Sequence, residues 1–233
     1  FSMIQGKITV AVLILLVAAI NLSRSETPDP AAPSSLLEQA DLEFLEVIAR
    51  DVVESSRVRP GEKVGEFGPN STGGTLIRPG GRDCYPAFWI RDYAMSLDCG
   101  LITAGEQRHM LLLTAEHQPD QEIRLRSGSI LPPGSIPDHI TFGGKPIFFP
   151  GTLEDFTGQG GEKWGALPCL DDAFFFIKMG HIYVDEGNDP EILKLDIRGK
   201  SLLQRLEDAF AMPPCDPGTG LVMVDDQTRG IAF

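Results

Sequence analysis

The sequence predicts an all-α fold. Three observations carry that expectation. Five segments read as helices, the first with apolar residues recurring near helical spacing. Few stretches alternate with period two, so a β-sandwich is not expected. Strand-then-helix alternation with a GxGxxG or GxxxxGK[ST] loop is absent from the sequence. The connections between the helical segments are alternately short and long. Twenty-five glycines and 18 prolines in 233 residues supply the long ones, about half as many again as an average chain carries.

The elements follow in order. Residues 8–20 (ITVAVLILLVAAI) form an apolar run behind Lys7, and Ser23 and Ser25 give a small-x-small exit. This describes a secretory signal peptide over residues 1–25. The run is shorter than the roughly 20 residues that cross a bilayer comfortably. The alternative is an uncleaved anchor, the single route by which a membrane enters the picture. The protein is expected to be exported, to a periplasm or the extracellular space. Residues 26–35 (ETPDPAAPSS) form a Pro-rich linker. Ser34 or Ser35 can cap a helix over 36–56, whose apolar side carries Leu37, Leu45, Ile48 and Val52. Residues 57–87 read as a long loop. Helices are expected over about 88–100 and 105–117. Residues 118–168 form a second long stretch broken by PP, PG, GG and KP. A fourth helix opens at Asp171 and runs to about Asp185. A fifth spans 190–211, ended by Pro213 and Pro214. The chain starts at Phe1 rather than Met, and it stops in the apolar stretch GLVMVDDQTRGIAF. It is read as a piece of a longer protein.

Charge narrows the partners. Twenty Lys and Arg against 33 Asp and Glu give a net charge of −13. Phosphate contacts need clustered Lys and Arg, so nucleic acid is not an expected partner. Cys84, Cys99, Cys169 and Cys215 show no CxxC spacing, and buried thiols are preferred to a disulfide. The segment Asn70-Ser71-Thr72 matches an N-glycosylation acceptor. His109, His117 and His181 have no HExxH spacing, and no GxSxG elbow is present. No metal or cofactor is expected.

Two segments are dense in chemistry. The first is DCYPAFWIRDYAMSLD, residues 83–98. Here Arg91 offers a planar fork of donors, Asp92 two acceptor oxygens, and Trp89 a flat apolar face. That mix suits a sugar, whose hydroxyls take bidentate partners and whose C–H face stacks on an aromatic ring. It also suits a capped helix with an Arg–Asp pair and a buried Trp. The second segment, WGALPCLDD, runs from Trp164 to Asp172. Asp171 and Asp172 at a helix start fit an N-cap. Two adjacent acids in an apolar setting also fit a carboxyl with a raised pKa, able to donate a proton. Between the segments, Asp138 and His139 either line a cleft or form an Asx turn. Glu154 and Asp155 sit in a glycine-rich acidic tip.

The segments FWIRDYAMSLDCGLI and WGALPCLDDAFFFIKMGHIYV resemble, in this order, the W-x-R-D segment and the later acidic helix start of the six-hairpin glycosidases. The resemblance covers residues 36–233 and implies the N-terminal part of an (α/α)6 toroid of six inner and six outer helices. It implies an exported, exo-acting, inverting glycoside hydrolase using a general acid and a general base. Arg91 and Asp92 would then hold sugar hydroxyls, with Trp89, Asp138 and Trp164 at the substrate. Asp171 or Asp172 would be the general acid, Asp172 being favoured. The base is expected beyond residue 233. The alternatives are a non-catalytic sugar-binding or structural exported protein, and a polysaccharide lyase or phosphorylase on a related toroid.

Overall fold

A computed structural model describes residues 37–80, 85–124, 130–148, 151–152, 168–187 and 189–223. The chain divides into two units, residues 1–44 and 45–233. Only residues 37–44 of the first are described. The expected signal peptide lies outside the described residues. Among them, no helix is long and apolar enough to cross a membrane.

The fold is mixed α/β, which overturns the all-α expectation and the toroid with it. Among the described residues there are five α-helices: α1 (Gln39–Ser56), α2 (Ile90–Ser96), α3 (Ala104–Glu116), α4 (Asp172–Gly187) and α5 (Leu202–Ala211). Ten short strands accompany them. They are β1 (Arg57–Val58), β2 (Leu76–Ile77), β3 (Ala87–Trp89), β4 (Ile123–Arg124), β5 (Ile130–Leu131), β6 (His139–Thr141), β7 (Pro146–Phe148), β8 (Gly151–Thr152), β9 (Asp196–Ile197) and β10 (Lys200–Ser201). Strands β3, β6, β7 and β8 form one antiparallel sheet in that order. The others pair as the hairpins β1–β2, β4–β5 and β9–β10.

Strand length explains the difference from the sequence reading. Two or three residues cannot display a period-two pattern. All three residues of β7 are buried, so β7 does not alternate at all. The segments 57–87 and 118–168, read as loops, supply seven of the ten strands among the described residues.

Two expected helices are also corrected. The segment 88–100 begins as strand, becomes α2 at Ile90, tightens to a 3-10 turn over Leu97–Cys99 and ends at Gly100 with φ of 66°. The segment 190–211 is a 3-10 turn (Pro190–Lys194), the β9–β10 hairpin and then α5. Arg198 and Gly199 form the two-residue hairpin loop, with φ of 55° and 85°. Positive φ at both positions is the type I′ geometry that matches strand twist. The helix expected over 105–117 appears as α3, held by a capping box between Thr103 and Glu106.

Helix α4 is central: α2, α3 and α5 all pack on it. Phe176, Met179 and Tyr183 of α4 join Phe88, Ile90, Met110, Leu111 and Leu202 in one buried cluster. A Cβ at Gly180 would stand 3.0 Å from Leu206 Cδ1, so glycine lets α5 approach closely. Helix α1 behaves differently from its sequence pattern. Leu37, Leu45, Ile48 and Val52 are 46, 50, 42 and 53% exposed, while Val53 and Ser56 are the residues it buries.

The remaining expectations resolve locally. Cys99, Cys169 and Cys215 are free thiols, of which only Cys169 is buried; Cys84 lies outside the described residues. Asn70 is 2% exposed. Its Nδ2 donates to Val58 O at 2.7 Å and Gly74 O at 2.8 Å, and its Oδ1 accepts from Thr72 N and Thr72 Oγ1. The nitrogen a glycan would need is already committed to the fold.

Candidate functional site

The site is assembled where β3, β6 and the start of α4 meet. Strand β3 pairs with β6 in the register that sets Trp89 opposite His139. Their rings stack at 4.1 Å between centroids and 18° between planes. Tyr85 meets Trp89 edge-on at 4.9 Å. Trp89 is also the residue on which the chain turns from strand to helix, since α2 starts at Ile90. The W-x-R-D segment therefore spans a strand–helix junction, with Trp89 before the helix and Asp92 in its first turn.

Asp138 is pinned at its backbone. Its N–H donates to Ile147 O at 2.9 Å, and its carbonyl accepts from Ile90 N at 3.0 Å. Its carboxylate Oδ2 lies 2.6 Å from His139 Nδ1. An ionised carboxylate only accepts, so Nδ1 carries the proton. The Asp138 and His139 side chains are 15% and 12% exposed. The stacked Trp89 thus holds the ring that orients Asp138.

The second segment brings Asp171 and Asp172 to the same place. Arg91 on α2 donates to Asp171 Oδ1 at 3.0 Å, tying the two segments together. Asp172 is the first residue of α4 and has no exposed surface. Among the described residues, neither of its carboxyl oxygens has a hydrogen-bond partner. It is therefore not the N-cap that the sequence allowed, because a cap accepts a backbone N–H. Burial pushes its carboxyl well above the usual range, and the negative charges of Asp138 and Asp171 push the same way. Arg91 opposes this and is outweighed.

Cys169 completes the cluster. One oxygen of Asp138, the Cys169 sulfur and one oxygen of Asp172 all lie within 4.8 Å of one another. Cys169 is 1% exposed. Burial, with Asp172 and Asp138 beside it, pushes the thiol well above its usual range. Two carboxylates and a sulfur at this separation are a donor set for a divalent cation. The sequence showed no such set, because Asp138 comes from a different element some 30 residues earlier. The one local signal was Cys169 standing three positions before Asp172, in the segment that leads into α4.

Asp92 stands beside this cluster, near enough for its charge to push the Asp172 carboxyl up. It lines a separate cavity of about 230 Å³ with Val52, Val53, Ser56, Ile77 and Arg78. Burial raises its carboxyl, with Arg91 pulling the other way. Arg91 does not line that cavity, although its charge and that of Asp138 still reach Asp92. Trp164, Glu154 and Asp155 lie outside the described residues. Of the sequence-derived site residues, Trp89, Arg91, Asp138, Asp171 and Asp172 converge. Cys169 is the member that sequence reasoning missed.

Comparison with known families, curated proteins and solved structures finds no match for this chain.

Proposed function

We propose that this chain is the sugar-handling part of an exported carbohydrate-active enzyme that hydrolyses glycosidic bonds by general acid/base catalysis. The observation that carries the reading is Asp172, a fully enclosed carboxyl without a hydrogen-bond partner among the described residues. Folding gains nothing from such a group. Its surroundings keep the proton on it, and a carboxyl that stays protonated near neutral pH can donate to a leaving oxygen. Asp172 is accordingly the general acid, and Asp171, paired with Arg91, supports it. The Arg91–Asp171 pair offers donors and acceptors to sugar hydroxyls, and the Trp89–His139 stack offers a flat wall.

The second carboxyl is not Asp138. Inverting hydrolysis sets its two carboxyl groups about 6.5–9.5 Å apart, with a water between them. Asp138 reaches within 4.8 Å of Asp172. Exo-acting hydrolysis with inversion therefore takes its base from another residue. Because Asp172 is enclosed, substrate entry must part the side chains that cover it.

That enclosure favours one second reading, a sugar-binding protein without hydrolysis. In it, Arg91, Asp171 and Trp89 hold the ligand and Asp172 carries out no step. The test uses the full reading frame that contains this chain, screened against aryl glycosides and reducing-end-labelled oligosaccharides. Hydrolysis, with Arg91→Ala raising KM while circular dichroism stays unchanged, supports the enzyme. Sugar binding without turnover supports the second reading. Neither binding nor turnover removes both.

A further inference from the structure

We propose that Asp138, Cys169 and Asp172 form a binding site for a thiophilic divalent cation of the zinc class. The geometry has two independent parts. One oxygen from each carboxyl and the Cys169 sulfur come within 4.8 Å of one another, near enough for one ion to reach all three after small side-chain adjustments. Separately, Asp172 is fully enclosed with both oxygens unpartnered among the described residues, and it points into that cluster.

The donors choose the ion. Calcium and magnesium are hard ions that take oxygen ligands, and a thiolate sulfur does not suit them. Sulfur with carboxylate suits zinc, or cadmium as its spectroscopic substitute. Three protein donors leave the fourth tetrahedral position for water. Asp138 enters already oriented, because His139 Nδ1–H holds its Oδ2 at 2.6 Å and the Trp89 stack holds the ring. Such support from outside the ligand set tunes affinity by about 10–100-fold in metal sites. The balance is simple. The dication binds the Asp138 carboxylate and displaces one proton from the Asp172 carboxyl and one from the Cys169 thiol. The three ligands then carry three negative charges against the ion's two.

The consequence for catalysis rests on the hydrolase reading: an ion on Asp172 removes the acid and inhibits. The binding itself does not rest on that reading, and its measurement needs no turnover. The test titrates the full chain with zinc by calorimetry and with cadmium by ultraviolet absorption, calcium serving as the control ion. The expected result is one zinc per chain, a cadmium–thiolate charge-transfer band, and no calcium uptake. Cys169→Ser should abolish the band and weaken zinc at least tenfold. His139→Ala should weaken zinc by about 10–100-fold. Cys99→Ser and Cys215→Ser, both at exposed thiols, should leave the band intact. Asp172→Asn, checked for folding by circular dichroism, should weaken zinc as Cys169→Ser does. The proposal is overturned if wild type binds no zinc, or if its affinity and the cadmium band survive Cys169→Ser. Zinc binding in a protein without glycosidase activity would keep this site and remove the hydrolase reading. Glycoside hydrolysis without zinc binding would do the reverse.

Discussion

Replacing Asp172 with alanine should stabilise the fold, which is the opposite of what a helix-capping aspartate would do. The Asp172 carboxyl makes no hydrogen bond with any described residue, and Asp172 has no exposed surface. A buried polar group in that condition costs about 1–3 kcal/mol. Asp172→Ala removes the group and forfeits no described hydrogen bond. The space it vacates costs about 1 kcal/mol in lost packing. Alanine is also the better helix former, by a few tenths of a kcal/mol at this first position. The net expectation is a gain of about 1 kcal/mol, with zero as its lower bound. Thr103→Ala provides the contrast, since Thr103 Oγ1 accepts from Glu106 N in a complete capping box. That change should cost about 1 kcal/mol, within a range of about 0.5–2. Both variants are measured by urea unfolding at pH 7, followed by far-ultraviolet circular dichroism. If Asp172→Ala loses as much as Thr103→Ala, Asp172 belongs to the fold, and the case for a functional carboxyl collapses.

Three further outcomes follow from the geometry. Burial alone would raise the Glu106 carboxyl, but hydrogen bonds from Arg57 and Thr103 outweigh it and hold it below the usual range. Its contribution is therefore complete above the ordinary glutamate value, about 4.3, and is lost as pH falls through the lowered folded value. Glu106→Gln should cost about 2 kcal/mol at pH 7 and much less at pH 2, as read from urea midpoints at the two values. Asn70 should carry no glycan when the chain passes through a eukaryotic secretory pathway, as intact-mass spectrometry would show; a glycosylated Asn70 would contradict its buried contacts. Asn70→Ala should in turn cost about 1–3 kcal/mol. Phe176→Ala in the middle of α4 should cost about 3–5 kcal/mol, because Phe176 is fully buried in the cluster shared by the four packed helices. A loss under 1 kcal/mol would mean that α4 is not the centre of the core.

The legibility of this chain varied with the length of its elements. Helices α3 and α4 were readable because they are long, 13 and 16 residues. The sheet that carries the site was not. Strands β3 and β6 have three residues each, too few for any periodicity, and the Pro- and Gly-rich text around them reads as loop. The helix expected through 195–201 failed on Arg198-Gly199, a turn signal overridden by the apolar pattern on either side. Side-chain chemistry was more readable than topology. Trp89, Arg91, Asp138, Asp171 and Asp172 stood out by residue type, and the fold brings them together. Asp92 lines a cavity that Arg91 does not, because adjacent helical residues point about 100° apart. Cys169 was hidden because its significance depends on Asp138, which only the β3–β6 register delivers.

The central claim is that Asp172 is a proton donor to a departing sugar oxygen. The most direct measurement is a leaving-group series of aryl glycosides, run with wild type and Asp172→Asn in the full reading frame that contains this chain. General acid catalysis contributes about 10²–10⁴-fold, and mostly where the leaving group is poor. The account predicts that Asp172→Asn loses turnover by that factor on poor leaving groups and approaches wild type on activated ones. Equal turnover by wild type and Asp172→Asn across the series would contradict it.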